Sequence, residues 1–388
     1  MQRGRDPFVT DGKGPDRPRR HRRQTRLAAI DLGPPSASAP VLSGFDRHRT
    51  GHHRNQERAR PKSGSTTRAP PGRNGRTGPP GQCEPDAEGG QMMKIPLIDR
   101  RTGETIEEEV LGGGMLRLAY EGALSPLLRG TLLKTGTISR LLGWYSDTSW
   151  SRRKIEGVID ELNIDMGDFE EPSGGFQTFN QWFTRNLKPG VRPFDPDPLV
   201  FSSPADSRLT VIPELRETTA IPVKGTSFLI EDLLRIPAEQ AAGFRGGAAL
   251  IFRLCPADYH RYHFPADGQT ITTKTISGRY DSVNPIAVAA GIPVFTENRR
   301  VVTHLSLDAF GPTAFVEVGA FGVGGIIDTH GEGPFEKRDE KGYFRYGAST
   351  LVLVLEPGRL KIDQDLIENS AKGMEILVRT GETLGHSL

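Results

Sequence analysis

The feature that most restricts the fold is a series of short apolar runs after Pro193, separated by glycine and proline. The runs span residues 248–252, 315–318, 351–355 and 375–378. Short apolar runs bounded by turn residues are typical of buried β-strands. No alternation of strands with long helices follows Phe201, which argues against a doubly wound parallel sheet. The sequence therefore predicts an α+β fold, in which a helical region precedes a β-rich, antiparallel barrel-like or sandwich-like domain at residues 196–388.

The first 91 residues differ from the rest in composition. They carry 18 basic and 9 acidic side chains, are rich in Pro, Gly, Ser and Arg, and lack periodic apolar residues. Such a segment buries too little apolar surface to offset its chain entropy. We therefore predict that residues 1–91 are a disordered basic extension, or a mis-called start ahead of Met92. The basic run at residues 17–23 would also suit a nucleic-acid-binding arm, but we expect no nucleic-acid partner.

Residues 92–195 are predicted to form the helical region. Between residues 112 and 144, leucine and isoleucine are interleaved with arginine and lysine, and glycine and proline interrupt the pattern. Short helices with one apolar and one basic face suit an anionic membrane surface, and a helical cap on the protein's own core is the open alternative. A more regular helix is predicted after an N-cap at Ser149 or Ser151. Its apolar face contains Ile155, Val158, Ile159 and Leu162.

The sequence predicts no transmembrane helix. No stretch approaches the roughly 18 uncharged apolar residues that a spanning helix needs, and the N-terminus has no apolar signal-peptide core. The two cysteines, Cys83 and Cys255, supply no disulfide framework. We therefore expect a soluble protein or one that lies on a membrane surface.

The run at 351–355 follows the turn Tyr346-Gly347-Ala348-Ser349-Thr350. Alone, this turn is an ordinary loop entering a core strand. Other motifs precede it, in the order FTRNLKPGVRP at 183–193, SPAD at 203–206, VKG at 223–225, PADYHRYHFP at 256–265, VNP at 283–285, ENR at 297–299 and VGA at 318–320. From about residue 155 to the C-terminus, this series resembles the phosphatidylserine decarboxylase proenzymes, a pyruvoyl-dependent family.

The resemblance implies a precursor that cleaves itself between Ala348 and Ser349. The products would be a long β chain and an α chain of about 40 residues, which stay associated. Ser349 would become a covalent pyruvoyl cofactor that forms a Schiff base with phosphatidylserine, releasing CO2 and yielding phosphatidylethanolamine. The expected location is peripheral, on the cytoplasmic face of an anionic membrane, and a homodimer is compatible with this expectation.

The resemblance also assigns roles to individual residues. Asp206 would orient His263, His263 would activate Ser349, and His260 would act on the substrate side as proton donor. A neutral imidazole is a suitable acceptor for the proton of a serine hydroxyl that attacks its preceding carbonyl.

Two other interpretations of the histidine pair stay open at this point. His260 and His263 could chelate a metal with Asp206 or His330 as third ligand, or could hydrogen-bond within a core. No cysteine cluster or His-Glu-x-x-His pattern supports a metal, and we expect none.

Four basic residues of the motifs are candidates for pairing with a phosphate or carboxylate, although none is assigned as a ligand. They are Arg185, Lys188, Arg192 and Lys224. Ala348 stands where the family usually has glycine, and its Cβ restricts the backbone at the bond to be broken. Slower cleavage, or none, is the alternative that Ala348 leaves open, although Asp206, His260, His263 and Ser349 are all in place. Ser207 likewise stands where the family usually has glycine, and Gly324-Gly325 replaces a more usual Gly-Ser.

Two alternative functions remain. A pyruvoyl decarboxylase of the same architecture could act on a soluble amino acid. A non-catalytic β-domain could bind a ligand without Ser349 ever being processed.

Overall fold

The structure is a computed structural model that describes residues 94–109, 137–216, 228–283, 291–320, 325–346 and 349–388. The predicted extension 1–91, residues 112–136 of the predicted membrane-apposed segment, Lys224 and Ala348 lie outside the described residues. The described strands are β1 Lys94–Asp99, β2 Thr105–Glu109, β3 Val200–Ser202, β4 Ser207–Ile212, β5 Ala248–Leu254, β6 Arg261–His263, β7 Gly268–Ile276, β8 Arg300–Leu307, β9 Gly311–Val318, β10 Ile326–Asp328, β11 Gly333–Phe335, β12 Glu340–Phe344, β13 Ser349–Leu355, β14 Leu360–Ile362, β15 Glu375–Val378 and β16 Thr383–Ser387. The described α-helices are α1 Thr137–Ser146, α2 Ile155–Glu161, α3 Phe179–Phe183, α4 Ile230–Leu234, α5 Ala238–Ala241, α6 Val294–Glu297 and α7 Gln364–Ala371.

Ten strands form one sheet in the order β11-β7-β8-β9-β13-β5-β4-β15-β1-β2. Neighbours in this sheet are antiparallel except β1 and β15, which run parallel. Two small sheets, β10-β12-β6 and β14-β16-β3, complete the described strands. The predicted α+β class is confirmed. The ten-stranded sheet does not close into a barrel within the described chain, because its end strands β11 and β2 do not pair with each other.

Strand β13 lies near the middle of the ten-stranded sheet, hydrogen-bonded to β5 on one side and to β9 on the other. Successive side chains of a strand point to opposite faces. Leu351, Leu353 and Leu355 accordingly belong to one hydrophobic core, and Val352 and Val354 to the other. Both faces are covered, which explains why this run is apolar at every position.

The two cores lie on opposite faces of the large sheet. On one face, the small sheets contribute Phe201, Tyr262 and Phe344, which gives a sandwich-like layer. On the other face, the helical segment 230–244 contributes Leu233 and Phe244. A smaller helical cluster joins α2 and α3 through Ile155, Phe179, Trp182 and Phe183.

The predicted helical region 92–195 differs from the structure at its start. Residues 94–109 form the hairpin β1–β2 rather than a helix, and β1 joins the large sheet beside β15. Gly103 makes the turn with a φ of +73°, a conformation that suits glycine. Ile95 and Leu97 are buried in β1, so the period is two rather than 3.6. The helical prediction is wrong for this segment.

The regular helix predicted after residue 149 is present as α2. Its N-cap is Lys154, preceded by the 3₁₀ helix Ser149–Lys154, so the prediction of a serine cap is wrong. The buried Ser151 hydroxyl instead accepts a hydrogen bond from the backbone N–H of Phe179, at 2.8 Å. That bond ties α3 to the 3₁₀ helix. None of the helices in the described ranges is long and apolar enough to cross a membrane.

Candidate active site

The two motif histidines follow a tight turn at the end of β5. The N–H of Asp258 donates to the carbonyl of Cys255 at 2.9 Å, which closes the turn. His260 is fully buried, and its ring centroid lies 3.9 Å from that of Phe183. The N–H of Phe344 donates to the His260 carbonyl at 2.9 Å. His260 therefore lies in a buried environment beside an aromatic ring.

Its surroundings fix the tautomer of His260. Nδ1 lies 2.9 Å from the Asp258 carbonyl, which can only accept, so Nδ1 carries the proton. Nε2 therefore has a lone pair, and it has no hydrogen-bond partner among the described residues. Burial, helped by the charges of Arg185 and Arg208, lowers the pKa of His260 to about 3. At neutral pH this side chain is an uncharged base whose Nε2 lone pair is not used by any described residue.

His263 has the same tautomer but a different environment. Its Nδ1 donates to the Arg338 carbonyl at 2.8 Å, and its Nε2 accepts from the Tyr259 hydroxyl at 3.1 Å. Burial lowers the pKa of this imidazole as well. His263 is thus also neutral, but both of its nitrogens are occupied.

Asp206 is held by an arginine rather than by a histidine. Its carboxylate pairs with Arg192 Nη2 at 2.8 Å and accepts from the backbone N–H of Thr380 at 2.8 Å. Arg192 also pairs with Asp168 at 2.8 Å. The N–H of His263 donates to the Pro204 carbonyl at 2.9 Å, so the turn that carries Asp206 adjoins β6.

Ser349 is the first residue of β13 and lies opposite Leu254 at the end of β5, where the histidine turn begins. Its hydroxyl is fully buried and has no hydrogen-bond partner in the described chain. Three residues earlier, Tyr346 packs against Phe183, with 5.4 Å between ring centroids. The segment that enters Ser349 therefore contacts the same ring that stacks on His260. An unpaired buried hydroxyl costs roughly 1–3 kcal/mol and calls for an explanation.

The fold thus brings the four predicted side chains into one neighbourhood, although none of them hydrogen-bonds another within the described ranges. In the described chain, no group of three His, Cys, Asp or Glu side chains is arranged to hold a metal ion. The roles assigned to Asp206, His260, His263 and Ser349 stay predictions.

Sequence comparison with known proteins identifies the family to which these four residues belong. The family model for phosphatidylserine decarboxylase matches residues 179–386, which include all four predicted residues. The phosphatidylserine decarboxylase proenzyme of Chlamydia felis is 36% identical over 298 residues, covering 76% of this chain and 99% of that protein. The chain belongs to the phosphatidylserine decarboxylase family. Proenzymes of the same name from Fusobacterium nucleatum and Clostridium perfringens are 36% and 37% identical, over 76% and 75% of this chain and 98% and 99% of theirs.

The predicted family is therefore confirmed, and the basic residues of its motifs prove to have distinct environments. Arg185 is buried, donates to the Ala257 carbonyl at 2.8 Å, and lies over the ring of Phe169. Burial lowers its pKa to about 10, so it remains a cation. Lys188 lines an open pocket of about 660 Å³ with Arg185 and Arg261. Arg185 therefore contacts the histidine turn, whereas Arg192 is occupied by two carboxylates.

Several residues around the decarboxylase motifs were missed by the sequence analysis. Phe183 and Tyr259 contact the two histidines directly. Arg208 and Arg253 lie within the strands that lead to and from the site and are largely buried. An arginine inside an otherwise apolar strand is the signal that could have found them, because a buried charge requires partners.

Proposed function

We propose that this chain is a self-processing, pyruvoyl-dependent decarboxylase that converts phosphatidylserine to phosphatidylethanolamine and CO2. The observation that carries the proposal is the Ser349 hydroxyl, which is buried at the start of the central strand without a hydrogen-bond partner among the described residues, next to the turn with two neutral imidazoles. The names of the relatives support both the substrate and the precursor state.

Processing would begin at the Ser349 hydroxyl. Once its proton is removed, Oγ attacks the carbonyl carbon of Ala348, and the amide becomes an ester. Loss of the Ser349 α-proton then expels the upstream chain as a carboxylate and leaves dehydroalanine at residue 349. Tautomerisation and hydrolysis release ammonia and leave a pyruvoyl group. Such a group reacts with primary amines through its ketone and accepts the electron pair left when CO2 departs.

The histidines would divide the proton transfers between them. His263 is assigned to Ser349 and His260 to the proton returned to the substrate. For His263 to act, its Nε2 must exchange the Tyr259 hydroxyl for that of Ser349, because one lone pair serves both. Asp206, paired with Arg192, would fix the turn beside His263.

The two products of cleavage would stay together. The fragment 349–388 contains β13, which is paired on both sides with strands of the remaining chain. It also contains Thr380, whose N–H donates to Asp206. The α chain would therefore be held by backbone hydrogen bonds and by two buried apolar faces. A homodimer remains a prediction.

Decarboxylation assays with two substrates test the proposal. Purified protein should release CO2 from phosphatidylserine in mixed micelles, and the Ser349→Ala variant should release none. Free L-serine serves as the second substrate and should give no comparable rate. A preference for free serine would indicate a decarboxylase of soluble amino acids, and no release from either substrate would contradict the proposal.

We further propose that the enzyme lies peripherally on the cytoplasmic face of an anionic membrane. Trp144 is 68% exposed and Trp150 is 73% exposed. The exposed basic residues Arg152, Arg153 and Lys154 lie two to four positions after Trp150. Tryptophan beside basic residues suits the headgroup layer of an anionic bilayer.

Sedimentation with vesicles tests this surface. Replacing Trp144 and Trp150 by alanine should weaken binding to phosphatidylserine vesicles by about tenfold or more. Ile271→Ala, which removes an exposed apolar side chain elsewhere, is the matched control. Equal binding of the two variants would contradict the proposed surface.

A further inference from the structure

Two arginines lie side by side in the large sheet. Arg208 of β4 and Arg253 of β5 are directly opposite each other in register, and both are largely buried. Like charges at directly opposite positions destabilise a sheet, and a buried cation needs a counter-ion. The pair therefore requires anions that reach it from other elements.

Glu108 of the β1–β2 hairpin is the anion shared by both arginines. Its carboxylate lies 2.6 Å from Arg208 Nε and 3.0 Å from Arg253 Nη2. The Cys255 thiol lies 2.7 Å from the same carboxylate. Burial raises the pKa of Glu108, but the charges of Arg253 and Arg208 outweigh it and hold the pKa well below its usual value.

Glu108 and Arg253 are in contact although their strands, β2 and β5, are far apart in the order of the sheet. Strand β2 is at the edge, and β1, β15 and β4 separate it from β5. The sheet must curl for Glu108 to reach Arg253. A second anion, Glu375 of β15, pairs with Arg253 at 2.6 Å. Anions from two different elements thus surround the arginine pair.

The ion pairs of Arg208 also connect Glu108 to the turn that carries His260. Arg208 Nη1 donates to the Asp258 carboxylate, which also accepts from the N–H of Cys255 at 2.6 Å. The backbone carbonyl of Asp258 accepts from His260 Nδ1. A continuous path of contacts therefore runs from Glu108 through Arg208 and Asp258 to the His260 ring.

We propose that Glu108 is a positioning residue for His260, and that the β1–β2 hairpin is thereby part of the catalytic unit. The inference rests on the proposed function, because it assumes that His260 serves the decarboxylation. The hairpin lies outside residues 179–386, which the family model matches. Without the Glu108 charge, Asp258 is the one counter-ion left to Arg208 among the described ion pairs, so the guanidinium moves towards Asp258 and displaces the turn that fixes the His260 tautomer.

The variant Glu108→Gln in the full chain tests this role. The amide keeps the shape and removes the charge, so kcat for phosphatidylserine should fall about 10- to 100-fold, as expected for a misplaced catalytic group. KM should change less than about twofold, because Glu108 does not contact the substrate. Glu107→Gln, an exposed position on the same strand, is the matched control and should keep both constants.

A second variant tests the same role if Glu108→Gln does not fold. Glu108→Asp keeps the buried charge but withdraws the carboxylate by one methylene group, and kcat should fall about threefold to tenfold. Circular dichroism shows whether each variant is folded. Wild-type kcat in a folded Glu108→Gln or Glu108→Asp protein would overturn the proposal.

Nitrogen-15 NMR of labelled histidine separates this inference from the proposed function. The His260 signal, assigned with His260→Gln, should report a single tautomer with the proton on Nδ1 in the wild type and a mixture in Glu108→Gln. If the wild type neither cleaves nor releases CO2, the proposed function fails, and the tautomer comparison still decides the role of Glu108. An unchanged His260 signal in Glu108→Gln would overturn that role.

Discussion

The candidate site has an inner part, Ser349 and His260, and an outer part, Asp206 and His263. The two parts differ in whether their buried polar atoms have hydrogen-bond partners. In the inner part, the Ser349 hydroxyl and His260 Nε2 are buried without hydrogen-bond partners among the described residues. In the outer part, Asp206 is paired with Arg192, and both nitrogens of His263 are occupied. The two histidines are only three positions apart, have the same tautomer and are both neutral. Their difference therefore lies in the Nε2 lone pair, which accepts a hydrogen bond in His263 but from no described residue in His260.

This difference indicates which part of the site is maintained at the expense of folding stability. Leaving a buried polar group unpaired reduces stability, and a catalytic role is one explanation for such a group. The inner part carries that cost, whereas the outer part is organised by ordinary ion pairs and hydrogen bonds. We therefore expect substitutions in the two parts to affect different steps.

The largest expected effect is the separation of cleavage from decarboxylation by the two histidines. His263→Ala should block or slow cleavage, and His260→Ala should cleave but decarboxylate about 10²- to 10⁴-fold more slowly, the usual contribution of a general acid or base. Electrophoresis measures the first step and CO2 release the second. His386→Ala, an exposed histidine, is the control.

Two other outcomes would contradict the roles assigned to His260 and His263. If His260→Ala left turnover unchanged, the free lone pair would have no role in decarboxylation. If His260→Ala stopped cleavage while His263→Ala did not, the activator of Ser349 would be the inner histidine.

A smaller effect concerns the pH dependence of stability. The pKa of buried His260 is about 3, against about 6.5 in an unfolded chain. Between these values the unfolded state binds the proton and the folded state does not, so stability falls as the pH decreases below 6.5. His260 should account for a loss of about 3 kcal/mol in the free energy of unfolding between pH 6.5 and pH 4.

Urea unfolding on two proteins isolates this contribution. Ser349→Ala provides an uncleaved reference, and Ser349→Ala with His260→Gln removes the titrating group. The reference should lose more stability between pH 6.5 and pH 4 than the double variant does. Parallel losses in the two proteins would contradict the buried, neutral state of His260.

Local sequence patterns predicted part of this arrangement. The apolar runs at 248–252, 315–318, 351–355 and 375–378 all lie in strands of the large sheet. The position of Ser349 at the start of a buried strand was predictable because an apolar run follows a turn of small residues. The neighbourhood of the histidines was predictable only through the family motifs.

Other parts depend on contacts that no local pattern contains. Asp206 was expected to contact His263, but Arg192 competes for its carboxylate and forms the stronger, charged pair. Glu108 and Arg253 are 145 positions apart in the chain, and their pairing depends on the curl of the sheet. The β1–β2 hairpin was assigned to a helical region because its short strands, one interrupted by Pro96, give a weak period-two signal.

The most direct test of the central claim is mass spectrometry of the purified protein. Cleavage before Ser349 should release a small chain of about 40 residues, near 4 kDa, with a blocked N-terminus about 17 Da lighter than the encoded fragment because ammonia is lost. Ser349→Ala should remain a single uncleaved chain. An intact wild-type chain that still decarboxylates phosphatidylserine would contradict the conversion of Ser349 into the cofactor.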